Sequence, residues 1–289
     1  MLSPWILAAR PKTLIAGISP IAIGTVLAWH AGQAHLPAML FALLGAVSVQ
    51  IGTNFCNDYF DFFQGADTAD RKGPTRAVQA GLISPRAMLF ATTLMFVITG
   101  IAAYALSLRA GWPFLLIGVL SILFGVMYTA GRFSLAYQGL GDPFVFIFFG
   151  PVAVAGTYYV QTLELNAAVV IAGFGPGALA TGLLIVNNLR DVEEDRKADK
   201  RTLVVRFGIT FSRLQYALCI LSGVLVPIVF MSLQSAWWAG IASLVGIPGL
   251  LVVKRVWASE GVALRPCLGM TAGLLMAYTL LFCVGVGLS

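Results

Sequence analysis

Nine apolar segments follow one another along this 289-residue chain, and each is close to the length that a helix needs to cross a lipid bilayer. A helical crossing takes about 20 apolar residues, and a helix bonds its backbone groups internally where no water is present. The segments cover residues 14–30, 37–57, 86–108, 112–130, 139–160, 165–189, 214–233, 235–253 and 267–287. This pattern predicts an all-α polytopic membrane protein, a single domain over residues 1–289 with about nine transmembrane helices.

The composition excludes the main water-soluble alternatives. Hydrophobic residues make up 59% of the chain and charged residues 10%, with a mean hydropathy of +0.89, whereas a soluble domain carries roughly 25% charged residues. A soluble α/β enzyme, a nucleic-acid-binding module and a disordered chain are therefore excluded, and no nucleic-acid partner is expected. Because charge is scarce, each charged residue near the bilayer is a candidate for function.

The basic residues indicate how the chain is oriented in the membrane. All but one of the 18 lysines and arginines lie in the N-terminal segment or in the connections that follow even-numbered apolar segments, and the exception is Arg109. Basic residues accumulate in cytoplasmic connections. We therefore expect a cytoplasmic N-terminus and, with nine crossings, a C-terminus outside.

Most of the acidic residues form two clusters, each directly after an apolar segment on the side predicted to be cytoplasmic. Each cluster contains an asparagine followed by two aspartates at helical spacing, which places the three side chains on about the same face of a helix. The residues are Asn54, Asp58 and Asp61 in the first cluster and Asn187, Asp191 and Asp195 in the second.

Carboxylates at this spacing repel one another, and the cost rises next to a low-dielectric membrane. A positive partner should offset that cost. Oxygen ligands suit Mg²⁺, which binds one or two carboxylates and completes its shell with water and substrate phosphate oxygens. The sequence predicts that the clusters face each other and hold two Mg²⁺ ions around one diphosphate, through Asn54, Asp58, Asp61, Asp191 and Asp195. The alternative is that both clusters are solvated helix ends.

Basic residues follow both clusters, and Lys72, Arg76, Lys200 and Arg201 are candidates to bind the phosphate oxygens that the metal ions leave free. The alternative for each of them is that it only sets the membrane orientation.

Several motifs resemble those of the UbiA superfamily of intramembrane prenyltransferases. They are Arg10-Pro11-Lys12-Thr13-Leu14, Asn57-Asp58-Tyr59-Phe60-Asp61 with Gly65-Ala66-Asp67, Gly139-Leu140-Gly141-Asp142, the run 149–159, and Asn187-Asn188-Leu189-Arg190-Asp191 with Lys200-Arg201-Thr202-Leu203. The resemblance extends from about residue 5 to 208. Within the superfamily, the motifs are most similar to those of the enzymes of menaquinone synthesis that act on 1,4-dihydroxy-2-naphthoate.

The resemblance implies a Mg²⁺-dependent enzyme of the bacterial inner membrane. Such an enzyme transfers a polyprenyl group from an allylic diphosphate to 1,4-dihydroxy-2-naphthoate, with loss of CO₂ and diphosphate, to give demethylmenaquinone. We then expect the helices to surround a central cavity that opens to the cytoplasmic side. The isoprenoid tail would run between helices into membrane lipid.

This chemistry suggests further site residues. Aromatic faces stabilise a cation, and Tyr128 and Tyr137 flank the cytoplasmic turn after the fourth segment, although both also suit an interfacial belt. Arg10 or Lys12 would hold the acceptor carboxylate or the diphosphate. Asp142 either lies near the acceptor or caps the helix that starts there. The predicted catalytic set is Asp58, Asp61, Asp191, Asp195, Tyr128 and Tyr137.

Two other functions stay open at this point. Within the superfamily, the acceptor could instead be 4-hydroxybenzoate, homogentisate or haem. In a different class, the chain could be an ion-coupled secondary transporter. Transporter sites tend to lie near the bilayer midplane, whereas these acidic residues lie at the ends of segments, which favours the enzyme.

Overall fold

The computed structural model describes residues 3–63, 76–128, 130, 134 and 137–289, and every regular element in this part of the chain is a helix. Eight helices are long and apolar enough to cross a membrane, which confirms the prediction of an all-α polytopic membrane protein. They are Pro11–His30, Leu36–Phe63, Pro85–Ala110, Gly141–Thr162, Ala167–Arg190, Ile209–Gln234, Trp237–Ala258 and Gly261–Gly287.

The remaining predicted crossing, which is the fourth in chain order, forms a shorter apolar helix, Trp112–Met127, of 16 residues. At 1.5 Å per residue it is about 24 Å long, somewhat less than the hydrocarbon thickness of a bilayer.

The first half of the chain contains five helices, a short one followed by four long apolar ones. They are α1 (Pro4–Ala9), α2 (Pro11–His30), α3 (Leu36–Phe63), α4 (Pro85–Ala110) and α5 (Trp112–Met127). Arg10 alone separates α1 from α2, and its φ of 51° lies in the left-handed region, which turns the chain sharply at this point.

The second half is less regular. Its helices are α6 (Gly141–Ile147), α7 (Ala153–Thr162), α8 (Ala167–Arg190), α9 (Val192–Lys197), α10 (Leu203–Phe207), α11 (Ile209–Gln234), α12 (Gly246–Ala258) and α13 (Arg265–Gly287). A π-helical turn over Phe148–Val152 joins α6 to α7. A 3₁₀-helix over Trp237–Val245 precedes α12, and a second over Gly261–Leu264 precedes α13.

Helix α8 is the most enclosed of the eight long helices, and it packs against α2, α6, α11 and α13. Small residues make this possible. A Cβ added to Gly173 would lie 2.6 Å from Cα of Pro151, and one added to Gly177 would lie 2.9 Å from Cα of Gly150. Glycines spaced by four residues let two backbones touch in lipid, where packing rather than water exclusion drives association.

The α6–α7 crossing is broken where it meets α8. Gly150 has φ −119° and ψ −109°, which no helix contains, and Pro151 follows it without a backbone N–H. The break brings Gly150 and Pro151 against Gly173 and Gly177 of α8. The Gly-Pro motif in the sequence therefore marks a bend that fits a groove of glycines.

Arg109, the one basic residue predicted to lie outside, has a structural partner. Its Nε donates to the carbonyl of Val160 and its Nη2 to the carbonyl of Gln161, both at 2.8 Å. These carbonyls belong to the last turn of α7, where backbone acceptors lack helical partners and the helix dipole favours a cation. The exception to the charge pattern is thus explained by helix capping.

We predict that Gly177→Ala lowers the thermal stability of the purified protein, because the added methyl group must displace the backbone of Gly150. Overpacking of this kind costs about 1–3 kcal/mol. The matched control is Gly273→Ala on α13, where the added methyl meets open space. Thermal unfolding in detergent measures both, and equal stabilities of the two variants would contradict the packing account.

Candidate active site

Helix α3 continues without a break through the first acidic cluster, so Asn54, Asp58 and Asp61 lie on successive turns as their spacing predicts. Asn54 and Asp58 are buried, and Asp61 is partly exposed. Nδ2 of Asn54 donates to the carbonyl of Ala9 at 2.9 Å and to Oγ1 of Thr13 at 3.1 Å. The asparagine thereby fixes the corner between α1 and α2.

Asp58 and Asp61 bind the chain segment that precedes α4. The two carboxylate oxygens of Asp58 accept from the backbone N–H groups of Ala77 at 3.0 Å and Val78 at 3.3 Å. Asp61 pairs with Arg76, with 2.7 Å between Oδ2 and Nη2. Only 9% of the Arg76 side chain is exposed, and a charge-assisted bond of this kind is stronger than one between neutral groups.

The second cluster begins where α8 ends. The chain bends at Asp191, although helical backbone bonds from Asp191 to Asn187 and from Asp195 to Asp191 continue across the bend. Arg190 binds both carboxylate oxygens of Asp191 at 2.6 Å and also donates to Oδ1 of Asn187 at 2.7 Å. Nζ of Lys200 lies 3.4 Å from Oδ1 of Asp195.

Tyr137 connects the two clusters. Burial raises the pKa of its phenol above the ordinary value, and the carboxylates of Asp61 and Asp195 act in the same direction. Both clusters therefore lie within electrostatic range of one side chain. The carbonyl of Tyr137 also accepts from the backbone N–H of Arg201 at 3.0 Å, which ties the segment after α9 to the same place.

Tyr128 lies immediately after α5, within electrostatic range of Asp61, Asp142, Asp195 and Arg10. The structure thus brings together one residue from each of the predicted acidic clusters, a predicted basic residue and both predicted tyrosines.

Other predicted site residues lie further out. Lys12 is exposed, and the Arg201 side chain is 64% exposed and pairs with the carboxylate of Asp199, which is 83% exposed. Lys72, together with Asp67 and Asp70, lies outside the described residues.

Asp142 does not cap a helix. It lies inside the first turn of α6, which begins at Gly141, and it is only 4% exposed. Its Oδ2 accepts from Nε2 of Gln215 on α11 at 2.9 Å. The capping interpretation is wrong because the preceding glycines let the chain enter the helix one residue earlier, which leaves this carboxylate turned towards the bundle.

Arg190 is the main site residue that was not predicted from the sequence, because it was used only as one of the basic residues that indicate membrane orientation. It is 4% exposed and makes three charge-assisted bonds. The available signal was its position next to Asp191 at the end of an apolar segment, because an arginine buried at such a place needs a carboxylate beside it.

A cavity of about 240 Å³ lies inside the bundle, between α2, α3, α5 and α7. Its lining is mostly apolar, and the exceptions are Gln50, Thr53, Thr99, Ser121, Tyr128 and Thr157. Tyr128 also lines a small polar recess with Asp142, Asn188 and Lys200. The phenol of Tyr128 therefore stands between the apolar cavity and the charged region.

The UbiA prenyltransferase family matches residues 17–275, which is most of the chain and includes both acidic clusters. The chain belongs to the UbiA prenyltransferase family. It is therefore a membrane prenyltransferase, and this membership decides between the enzyme and the transporter in favour of the enzyme.

Two relatives have names that state both an aromatic acceptor and a prenyl group. The chain is 38% identical to 1,4-dihydroxy-2-naphthoate octaprenyltransferase of Escherichia coli (strain K12), over 99% of this chain and 95% of that protein. It is also 38% identical to the protein of the same name from Mycobacterium tuberculosis (strain ATCC 25618 / H37Rv), over 79% of this chain and 78% of that protein.

Solved structures of UbiA homologues share the fold. The apo structure of a homologue from Aeropyrum pernix K1 has a TM-score of 0.74 at 13% identity and covers 95% of this chain and 98% of its own. A homologue from Archaeoglobus fulgidus, solved with GPP and Mg²⁺, has a TM-score of 0.62 at 17% identity and covers 97% and 99%. These values support the arrangement of helices described above.

The donor atoms at the two clusters fit a hard divalent cation. Among the described residues, no group of three or more His, Cys, Asp and Glu side chains converges on one point. Mg²⁺ does not require such a group, because it binds through one or two carboxylates and takes its remaining ligands from water and phosphate. The described carboxylates are therefore sufficient for Mg²⁺ and unsuited to zinc, which prefers nitrogen and sulfur ligands.

We predict that Arg190→Ala strongly destabilises the protein, because it leaves Asp191 buried beside apolar helices without its cation. Breaking a buried pair in this way costs about 3–5 kcal/mol. Arg201→Ala is the matched control, since it removes an exposed pair that is worth about 0–1 kcal/mol. Thermal unfolding in detergent separates the two, and equal losses of stability would contradict the importance of the Arg190–Asp191 pair.

Proposed function

We propose that this UbiA family enzyme transfers a polyprenyl group to 1,4-dihydroxy-2-naphthoate. The bond between C1 of the prenyl chain and the diphosphate oxygen breaks, and diphosphate leaves. C1 bonds to the ring carbon that carries the carboxylate, and CO₂ leaves, which restores the aromatic ring. The product is demethylmenaquinone in its reduced, dihydroxy form.

The observation that carries this proposal is that Tyr128 lines both an apolar cavity and a polar recess and lies within electrostatic range of one carboxylate from each cluster. A molecule with a charged diphosphate at one end and a long apolar tail at the other matches both parts of that site. The names of the relatives support the naphthoate as acceptor. The coupled ion of a transporter would need no such cavity.

Asn54, Asp58, Asp61, Asp191 and Asp195 would hold two Mg²⁺ ions. When bound, these ions supply positive charge that stabilises the departing diphosphate. The support is the oxygen-only donor set and the GPP and Mg²⁺ in the homologous Archaeoglobus fulgidus structure.

Arg76 and Lys200 are the described basic residues best placed for the diphosphate. Each lies beside a carboxylate of the proposed site, Asp61 or Asp195, so a phosphate oxygen bound near that carboxylate would also be near a cation. Arg10 is also close, as its electrostatic effect on Tyr128 indicates. We propose that these three residues bind diphosphate, and that Lys72 and Arg201 add to the positive charge around it.

Tyr128 and Tyr137 are proposed to stabilise the allylic cation that remains when diphosphate leaves. Tyr128 lines both the apolar cavity and the polar recess, so C1 of a donor that spanned the two would pass close to its ring. An aromatic face attracts a cation without reacting with it. The apolar cavity excludes water, which would otherwise capture the cation.

We further propose that the site faces the cytoplasm of a bacterial inner membrane, with the N-terminus on the same side and the C-terminus outside. The support is the distribution of basic residues, in which Arg109 alone lies opposite. Arg109 caps the end of α7, which gives this one exception a structural reason for its position.

The experiment that tests the acceptor is mass spectrometry of the reaction products. Purified enzyme in detergent is given geranylgeranyl diphosphate, Mg²⁺ and an equimolar mixture of 1,4-dihydroxy-2-naphthoate, 4-hydroxybenzoate and homogentisate. We expect the prenylated naphthalene with loss of the carboxylate carbon, and no product when EDTA removes the metal. Prenylation of 4-hydroxybenzoate or homogentisate in preference to the naphthoate would overturn the proposed acceptor.

We predict that Asp58→Asn and Asp191→Asn each lower prenyl transfer by at least about 100-fold, since a side chain that binds the metal directly matters more than the groups that only orient such ligands, whose loss costs about 10–100-fold. Asparagine is preferred to alanine here, because it can still occupy the space beside Ala77 or Arg190. Asp199→Asn is the control, since that carboxylate is exposed. Turnover near the wild-type rate in either site variant would contradict the metal-binding role.

A further inference from the structure

One face of α5 forms the wall of the cavity along nearly its whole length. The residues recur every three or four positions, and they include Phe114, Gly118, Ser121, Gly125 and Tyr128. From Tyr128 to Phe114 the helix rises about 21 Å. The cavity is therefore a long slot that runs from Tyr128, which also borders the polar recess, to Phe114 at the other end.

The far end of the slot is closed by a small apolar cluster. Phe114 is 9% exposed, and it groups with Ala38 and Val160, which are also buried. Its ring stacks on that of Tyr159, with 5.9 Å between the centroids and 11° between the planes. Nε of Arg109 donates to the carbonyl of Val160, and this bond helps to fix the end wall in place.

The side of the slot between α5 and α7 is much less closed. Over their described lengths the backbones of these helices hardly approach each other. Nearer the mouth, the ring of Phe124 contacts those of Phe144 and Phe148, at 4.7 Å and 5.3 Å between centroids. Gly156 of α7 also lines the slot, and a Cβ added to it would lie 3.9 Å from the ring of Phe114, so a residue without a side chain faces the end wall on this side.

We infer that Phe114 is the specificity-determining end wall for the prenyl tail. It sets how much of the tail lies inside the bundle, and the units beyond it turn into lipid between α5 and α7. This inference rests on the proposed function, since it takes the occupant of the slot to be the tail of an allylic diphosphate.

A tail unit inside the bundle is packed more densely than a tail unit in lipid. Protein interiors are packed more densely than simple liquids, so a tail unit inside the slot gains dispersion contacts that it lacks in lipid. A unit that lies beyond Phe114 remains in lipid and gains nothing. The value of kcat/KM should therefore rise with tail length until the tail just reaches Phe114, and it should stay constant for longer donors.

Two substitutions move this limit in opposite directions. Phe114→Ala removes the end wall and lengthens the slot. Ala46→Phe shortens it, because Ala46 lines the slot on α3 about 10 Å deeper than Thr53, which lies beside Gly125 near the mouth. The control is Phe90→Ala on α4, whose ring is 71% exposed towards lipid and does not line the slot.

The experiment measures kcat/KM for donors from dimethylallyl diphosphate to octaprenyl diphosphate, and divides each variant value by the wild-type value for the same donor. Partition of the donor into detergent cancels in this ratio. We expect a ratio near one for every donor in Phe90→Ala, and size-exclusion chromatography with thermal unfolding in detergent shows whether all three variants are folded. Phe114→Ala should raise the ratio for the longer donors, and Ala46→Phe should lower it by about tenfold, the effect of a changed pocket contact of this kind.

The order of the two effects is the decisive result. Ala46→Phe should change the ratio at a shorter tail than Phe114→Ala does, and the ratio for Phe90→Ala should not depend on tail length. If the ratio for Phe114→Ala did not change with tail length, the inference would be overturned. Prenyl transfer by the wild-type enzyme would still leave the proposed function intact. If wild-type enzyme transferred no prenyl group from any donor, the proposed function would itself fail.

Discussion

The site depends on the neutralisation of carboxylates at the edge of an apolar bundle. A buried carboxylate without a partner would lose its charge or unfold its surroundings. Here Asp61, Asp191 and Asp195 each have a basic partner, and Asp58 is held by two backbone N–H groups. These bonds also place the segment before α4 and the bend after α8, so the pairing of charges determines the backbone around the site.

The same pairing explains how one site can bind an anion. Three of the four carboxylates are already close to a cation, so the region carries both signs at short range. Arg76 and Lys200 are within reach of Asp61 and Asp195, and they would also be within reach of phosphate oxygens. A binding site for divalent metal and diphosphate needs this mixture, since the metal requires the carboxylates and the diphosphate requires the cations.

Much of this arrangement could be predicted from the sequence, because it follows from local pattern. Apolar runs of bilayer length gave the long helices, and the spacing of Asn54, Asp58 and Asp61 placed them on successive turns of α3. The break at Gly150 was not predicted, because it depends on contact with Gly173 and Gly177 on a distant helix. Local pattern carries no information about such a partner.

The errors at single residues have two origins. Capping by Asp142 was one of two interpretations, and the structure gives it a distant partner instead, Gln215, 73 residues later. The end wall at Phe114 likewise depends on Val160 and Tyr159, which lie on another helix. Arg190 differs, because its acceptors on Asn187 and Asp191 are close in sequence and only its burial at the end of α8 was not recognised.

The central claim is that both carboxylate clusters act together on one diphosphate through divalent metal. Electron paramagnetic resonance of Mn²⁺, titrated into the purified protein with and without a non-reacting thiolodiphosphate analogue of the donor, tests it most directly. The account predicts two Mn²⁺ ions per chain in the presence of the analogue, and loss of that binding when Asp58 and Asp191 are both replaced by asparagine. Mn²⁺ binding that did not depend on the analogue, or that survived the double replacement, would contradict it.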